Sequence, residues 1–251
     1  MKFIFVTTCK PFDGEYSWKQ EQSIKSWVRL EGIEKKIIIV GNDAGVKDIC
    51  QKYDLIHHPN IKTFHNVPYI VDMLEVAYSH ADDNDIIIWT NSDMIYFNDF
   101  IETVKAFRKE YTQKDFMMAG RRHDWKTPRV FDLNNKDEVN NILKNECRLH
   151  ETCGIDYIIH SKTTMKGYLS PRLLIASYTH DMKMLAIGIH RRIPTVDCTK
   201  TITAVHHNHT APIVSKERAQ QNTNEAAPME WIHNCPLHSE RRENGEIIFK
   251  N

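Results

Sequence analysis

Ile86-Ile-Ile-Trp-Thr-Asn-Ser-Asp93 is the stretch on which the fold turns. Its first four residues are apolar in unbroken succession. Neighbouring side chains on a strand point to opposite faces, so such a run is stable only where both faces are covered. The run then stops at polar side chains. In an open α/β sheet, ligands bind beyond the carboxyl ends of the strands, and an apolar strand that ends this abruptly marks such a place.

Two upstream segments repeat the pattern. Phe3–Thr8 and Ile37–Val40 read as buried strands, the second closed by Gly41-Asn-Asp43. Between them Ile24, Trp27 and Val28 recur at helical spacing, on a helix over about residues 17–30. A short helix over Val46–Tyr53, a strand at Leu55–His57 and a helix opened by Pro68 with Val71, Leu74 and Tyr78 follow. After the Ile86 strand, Phe100, Val104 and Phe107 mark another helix. Buried strands alternating with helices predict a mainly parallel sheet with helices on both sides, an α/β protein. Further on, Phe116–Ala119 and Ile155–Ile159 read as strands, and Val139, Ile142 and Leu143 as a helix face. Met182, Leu185, Ala186 and Ile189 predict a helix with Thr179 as N-cap. Thr195–Val205 reads as one late strand running into His206-His-Asn-His209. One domain is expected over residues 1–210, with 211–251 a polar tail that either packs over the site as a lid or stays mobile.

Composition excludes several classes of function. The 251 residues carry 33 Lys+Arg against 33 Asp+Glu, so no basic excess favours nucleic acid or an anionic membrane. No apolar run approaches the roughly 18 residues of a membrane span. The apolar start, Met1 to Val6, is too short for a signal peptide. Six Cys without a C-x-x-C pair argue against a zinc ribbon or a dense disulfide framework, and point to reduced thiols in a cytoplasmic protein. With 9 Gly, several glycine-rich phosphate loops are not expected.

Chemistry concentrates at the strand ends. Asp93 is a hard oxygen ligand suited to Mg²⁺ or Mn²⁺, although an Asp there also serves as a turn residue. Three His among residues 206–209 sit at a strand terminus, where imidazole joins a carboxylate around a metal, with Mn²⁺ the best compromise for such a mixed set. In a chain with 14 His, surface histidines are the competing reading. Asp181 lies in the first turn of its helix, where the dipole stabilises a carboxylate, and where it could also take a proton from an attacking hydroxyl. Asp156, the pair Arg121-Arg122, and Lys10-Pro-Phe-Asp13 after the first strand complete the polar candidates.

Phe5-Val-Thr-Thr-Cys-Lys-Pro-Phe12, Ile24-Lys-Ser-Trp27, Val40-Gly-Asn-Asp43 and Asn91-Ser-Asp-Met-Ile95 with Asp99-Phe100 resemble nucleotide-sugar-dependent glycosyltransferases of the GT-A fold. The resemblance is to a small group from bacteria and large DNA viruses that includes the chlorovirus rhamnosyltransferase domain. It continues through Ala119-Gly-Arg-Arg122, Gly154-Ile-Asp-Tyr157, Val196-Asp-Cys-Thr199 and Thr203-Ala-Val-His-His-Asn-His209.

The resemblance implies a Rossmann-like, three-layer α/β/α fold. It places Asn91, Ser92 and Asp93 at the D-x-D metal motif, with Asp93 ligating the cation that bridges the donor diphosphate, and His206 or His209 as the C-terminal metal ligand. Thr8, Lys10, Asp43 and Asp72 fall where the nucleoside is held, Arg121 and Asp156 where sugar or acceptor is contacted, and Asp181 at the catalytic base. Asn91 replaces the first Asp of the motif, so an Asp restored there is expected to tighten metal binding. The group's Trp-Asp-Asn-Trp is here His180-Asp-Met-Lys183. The implied activity is metal-dependent transfer of a sugar, in an inverting reaction, from a nucleotide diphosphate to a hydroxyl of a glycan or other acceptor, with UDP as the carrier. The alternatives are a degenerate, non-catalytic protein that binds nucleotide sugars or glycans, and a sugar nucleotidyltransferase. The latter fits poorly, because Thr7 to Gly14 lacks its glycine-rich loop.

Overall fold

A computed structural model describes residues 1–175, 179–209, 215–224 and 227–251. The chain opens with β1 (Phe3–Thr8), α1 (Gly14–Val28), β2 (Lys35–Val40), α2 (Val46–Lys52) and β3 (Ile56–His58). A small hairpin, β4 (Thr63–Phe64) and β5 (Val67–Pro68), leads into α3 (Ile70–Ser79) and β6 (Ile86–Thr90). Next come β7 (Met94–Tyr96), α4 (Asn98–Glu110), β8 (Met117–Ala119), β9 (His123–Trp125), α5 (Lys136–Asn141), β10 (Cys147–Leu149) and β11 (Tyr157–Ser161). The remainder holds α6 (His180–His190), β12 (Thr195–Asp197), β13 (Ala204–His207), α7 (Lys216–Asn224), β14 (Leu237–Arg241) and β15 (Ile247–Lys250).

The large sheet has the strand order β15-β14-β12-β8-β11-β6-β1-β2-β3. Its neighbours pair in parallel except where β11 lies antiparallel between β6 and β8, and at the β14–β15 hairpin. Alternate residues of each central strand feed two separate cores. Phe3, Phe5, Ile37, Ile39, Ile86 and Ile88 pack with Trp27 of α1, Ile49 of α2 and Phe100, Val104 and Phe107 of α4. Ile4, Val6, Ile38, Val40, Ile87 and Trp89 pack with Ile70, Met73, Leu74 and Ala77 of α3 and with Met184 and Leu185 of α6. The unbroken apolar runs thus have the cause the sequence suggests: the sheet is the middle of three layers.

A second sheet, β10-β9-β13-β7, stands beside the first over a small core of Ile95, Trp125, Ile142 and Val205. It corrects the single strand expected over Thr195–Val205. β12 ends at Asp197, a tight turn bonds Ile202 N–H to the Cys198 carbonyl at 2.9 Å, and the chain re-emerges as β13 in the other sheet. Thr179 does not cap α6 with its hydroxyl; its backbone is left-handed (φ 71°). The buried face of that helix runs through Met184, Leu185 and Gly188, while Met182 and Ile189 are half-buried. Residues after 210, set apart above as a tail, contribute β14 and β15 to the large sheet, where Phe249 stacks edge-on against Phe107. From the same segment, Asn222 of α7 bonds both backbone polar groups of Leu174, each at 2.9 Å.

Gly45 shapes the loops above the sheet. It is left-handed (φ +82°), and a Cβ on it would lie 2.8 Å from that of Phe12. This close approach lets Phe12 N–H bond the Ala44 carbonyl at 2.8 Å, joining the loops that follow β1 and β2.

Asp99, in the first turn of α4, accepts a bond from Thr203 N–H at 2.9 Å, and burial pushes its carboxyl up to about 6. A folded-state value above the unfolded one favours the protonated form, so this group costs stability as pH rises through about 4 to 6. Asp99→Asn cannot ionise. The difference in Tm between variant and wild type should therefore move in the variant's favour between about pH 4.5 and about pH 8. Thermal melts at the two pH values check this, and a pH-independent difference contradicts it.

Candidate active site and metal centre

β2 and β3 lie on one side of β1 and β6 on the other, so the strand order reverses at β1. Above that point opens a cleft of about 510 Å³. Thr8 and Lys10 enter it from the end of β1, Asp43 from the end of β2, and Asn91, Ser92 and Asp93 from the end of β6. His206, Asn208 and His209 arrive from β13, and Asn66 from the turn between β4 and β5.

Asp93 is the centre of the site. Its Oδ2 lies 3.0 Å from His209 Nε2 and 3.5 Å from His206 Nε2. One ligand atom from each of the three residues falls within 4.8 Å of the others. Burial works against the Asp93 anion, but the two imidazoles hold it well below the usual carboxylate range. Asp93 Oδ1 is buried without a hydrogen-bond partner among the described residues. A carboxylate with an unused buried oxygen, faced by two imidazoles at the mouth of a cleft, is a donor set that fits a divalent cation. Both candidate histidines join because the strand rule lapses past His207: His206 turns to Asp93 from within β13, and His209 reaches it from beyond the strand end. His207 is buried between Trp18 and Trp125, its ring centroid 5.4 Å from each.

Helix α1 supplies a brace that sequence reasoning missed. Gln20 Nε2 donates to the Lys10 carbonyl at 3.0 Å, and its Oε1 accepts from Lys10 N–H at 2.8 Å and from the Ser92 hydroxyl at 3.0 Å. One amide thereby locks the β1 loop to the Asn91-Ser-Asp93 loop. Lys19 Nζ reaches the Asn208 carbonyl at 2.9 Å, steadying the approach to His209. A signal existed: Gln20 stands four residues before Ile24 and seven before Trp27, a polar residue on the core-facing stripe. Lys10 Nζ lies 3.9 Å from the Tyr16 ring centroid, and burial lowers its pKa while Asp93 opposes the shift.

The other expected residues divide. Ser92 is committed to Gln20, although it also lines the cleft. Asp72 is not among the residues lining the cleft; its nearest recorded cation is Lys62 at 3.7 Å, on the flank of α3. Arg121 turns away, donating from Nε to the His150 carbonyl at 2.7 Å, and it is Arg122 that lines the cleft. Adjacent residues of an extended chain face opposite ways, and the sequence does not say which of the pair faces in. Asp156 is buried beneath the cleft, ion-paired to Arg122 Nη1 and bonded by Asn91 Nδ2 at 2.6 Å. Asp181 does not line the cleft among the described residues. It lies close enough to Asp156 for their charges to repel, and burial, followed by that repulsion, raises its pKa against the pull of His180. A raised pKa brings a carboxylate nearer to that of a working general base.

No protein-family model matches the chain, and no curated protein matches it. Solved structures do. S. aureus TarS 1-349 in complex with UDP-GlcNAc superposes with a TM-score of 0.60 at 13% identity, over 93% of this chain and 69% of that one. The same protein in complex with UDP gives 0.52 at 13% identity, over 93% and 68%. A longer TarS structure gives 0.53 at 13% identity, with 41% of its chain covered. At this identity the likeness establishes the fold. The chain has the Rossmann-like GT-A architecture, a large, mainly parallel sheet in a mixed α/β frame.

The Asn91 geometry reverses the expectation of a missing carboxylate. Its amide donates to Asp156, so an Asp at 91 would set two carboxylates about 2.6 Å apart. Asn91→Asp should therefore destabilise the fold by about 1–3 kcal/mol near neutral pH, lowering Tm by several degrees, without tightening metal binding. At acid pH a proton shared between the two groups would relieve the repulsion, and the deficit should shrink. Melting curves at the two pH values test this; an Asn91→Asp protein as stable as wild type at neutral pH contradicts it.

Proposed function

We propose that this protein is a metal-dependent glycosyltransferase that moves a sugar from a nucleotide-diphosphate donor, a UDP-sugar, to a hydroxyl of a glycan or other acceptor. The single observation that carries this reading is the convergence of Asp93, His206 and His209 in a cleft also lined by Thr8, Lys10 and Asp43. The fold shared with a protein solved in complex with UDP-GlcNAc and with UDP supports the choice of donor.

Asp93, His206 and His209 would hold the cation, whose chemistry is to offset charge on the departing diphosphate. Two imidazoles weigh toward Mn²⁺ over Mg²⁺, which prefers an all-oxygen shell. Lys10 and Arg122 bring further positive charge to the same cleft. Asp43, its pKa raised by burial, is the acceptor for nucleoside hydroxyls or base N–H groups at the far end. Asp181 takes the proton from the acceptor hydroxyl as it attacks the anomeric carbon opposite the diphosphate, the inverting course. Its raised pKa supports that role.

A panel of nucleotide sugars screened by thermal shift, with and without Mn²⁺, tests the donor. A ligand at about 100 times its Kd adds about 2.7 kcal/mol, a shift of roughly 5–10 °C at this chain length. UDP-sugars should give it with Mn²⁺, and Asp93→Ala should abolish the metal-dependent part while remaining folded. Full metal-dependent binding by that variant would remove Asp93 from the site.

Asp181→Asn separates chemistry from binding. Loss of a general base should lower transfer by at least about a hundredfold, with donor affinity little changed. Coupled detection of UDP release, with product anomericity read by NMR, measures both rate and stereochemistry. Near-wild-type transfer by the folded variant would reduce Asp181 to a helix-terminus residue.

A further inference from the structure

Asp124 has no role in the reading above, yet it stands on the opposite side of His206 from Asp93. β9 and β13 pair in parallel with Asp124 in register with His206, so both side chains rise from the same face of the small sheet. His206 Nε2 looks toward Asp93 at 3.5 Å, while its Nδ1 looks toward Asp124 Oδ1 at 3.8 Å. That Nδ1 is buried and has no hydrogen-bond partner among the described residues.

Asp124 is itself held in place. Its Oδ1 accepts from Arg122 Nε at 2.8 Å, and its Oδ2 meets His150 Nδ1 at 2.6 Å. His150 fits there because residue 154 is glycine: a Cβ on Gly154 would lie 2.3 Å from the imidazole Cδ2. A carboxylate oxygen that accepts one bond keeps a second lone pair, and here it faces the vacant ring nitrogen. Closing that gap to hydrogen-bond distance requires a movement of less than about 1 Å.

We propose that Asp124 is the positioning residue of the metal centre: it takes the Nδ1 proton of His206 in a hydrogen bond, and so fixes the tautomer whose Nε2 lone pair is presented beside Asp93 and His209. A ligating imidazole whose other nitrogen donates to a carboxylate is both oriented and made more basic. The ion pairs from Arg122 to Asp124 and to Asp156 then tie this support to the buried polar groups beneath the cleft. The inference rests on the metal-site reading, and its test keeps the two apart.

Isothermal titration with MnCl₂ alone, without donor, is performed on wild type, Asp124→Asn and Asp124→Ala, with folding checked by circular dichroism and Co²⁺ absorption recorded for each. Wild type should bind Mn²⁺. Asp124→Ala should bind about 10–100-fold more weakly. Asp124→Asn, nearly the same shape but uncharged, should lie between them and remain folded if the alanine variant does not. The Co²⁺ spectrum should change with each substitution, as the ring turns. A purely structural Asp124 would lower Tm but leave the Mn²⁺ Kd and the Co²⁺ spectrum at wild-type values, and that result overturns the proposal. Absence of Mn²⁺ binding by wild type would instead overturn the metal-site reading on which it stands.

Discussion

Burial of the central sheet on both faces is the constraint from which the rest follows. Phe3, Ile4, Phe5 and Val6 on β1, and Ile86 through Trp89 on β6, are closed off from solvent above and below. No polar side chain can project from the middle of such strands without losing hydration it cannot recover. Chemistry is therefore pushed to the strand ends, and at the point where strand order reverses the ends of β1, β2 and β6 leave a cleft with polar residues along its rim. The same constraint dictates the position of Asp93. It is the first carboxylate after the apolar run, in a loop whose backbone is held by β6 on one side and β7 on the other.

A carboxylate so placed needs partners, and the second sheet supplies them. β7 and β13 pair antiparallel with Met94 opposite His206, which carries the histidine strand against the end of β6. The Asp93 carboxylate, costly to bury alone, then has two imidazoles within reach. Beneath them Asn91, Asp156, Arg122, Asp124 and His150 form a continuous polar chain in which each carboxylate has at least two partners. Asn91 belongs to that chain, and its amide gives the buried Asp156 a donor directly below the Asp93 loop.

Cleft and fold are also joined from outside the sheets. Gln20 bridges two loops that would otherwise be independent, and Asn222 of α7 pins the segment at Leu174. The latter contact brings Arg218 to the cleft rim. A polar segment with no hydrophobic period of its own is thus tied to its neighbours by a side-chain amide that pairs with their backbone, a contact that leaves no periodic trace in its sequence.

Sequence alone determined what local periodicity and composition carry: the buried strands at Phe3, Ile37 and Ile86, the helices between them, the α/β class, and Asp93 with the His206–His209 cluster as candidate polar groups at strand ends. These are legible because a two-sided strand must be apolar throughout, and because a strand end is visible as the residue where that stops. Tertiary structure alone decided the rest. Whether Arg121 or Arg122 faces inward depends on how one extended segment is rotated. The break of Thr195–Val205 into two strands depends on a turn through Cys198–Ile202 that moves the chain between sheets. That Asp72 lies outside the cleft, and that Gln20 braces two of its loops, depends on helix rotation and loop approach, and Asp124 meets His206 only through a strand register between segments some eighty residues apart. Pairing at such separations leaves no periodic trace in either segment, since each strand carries the same alternation whatever it lies beside.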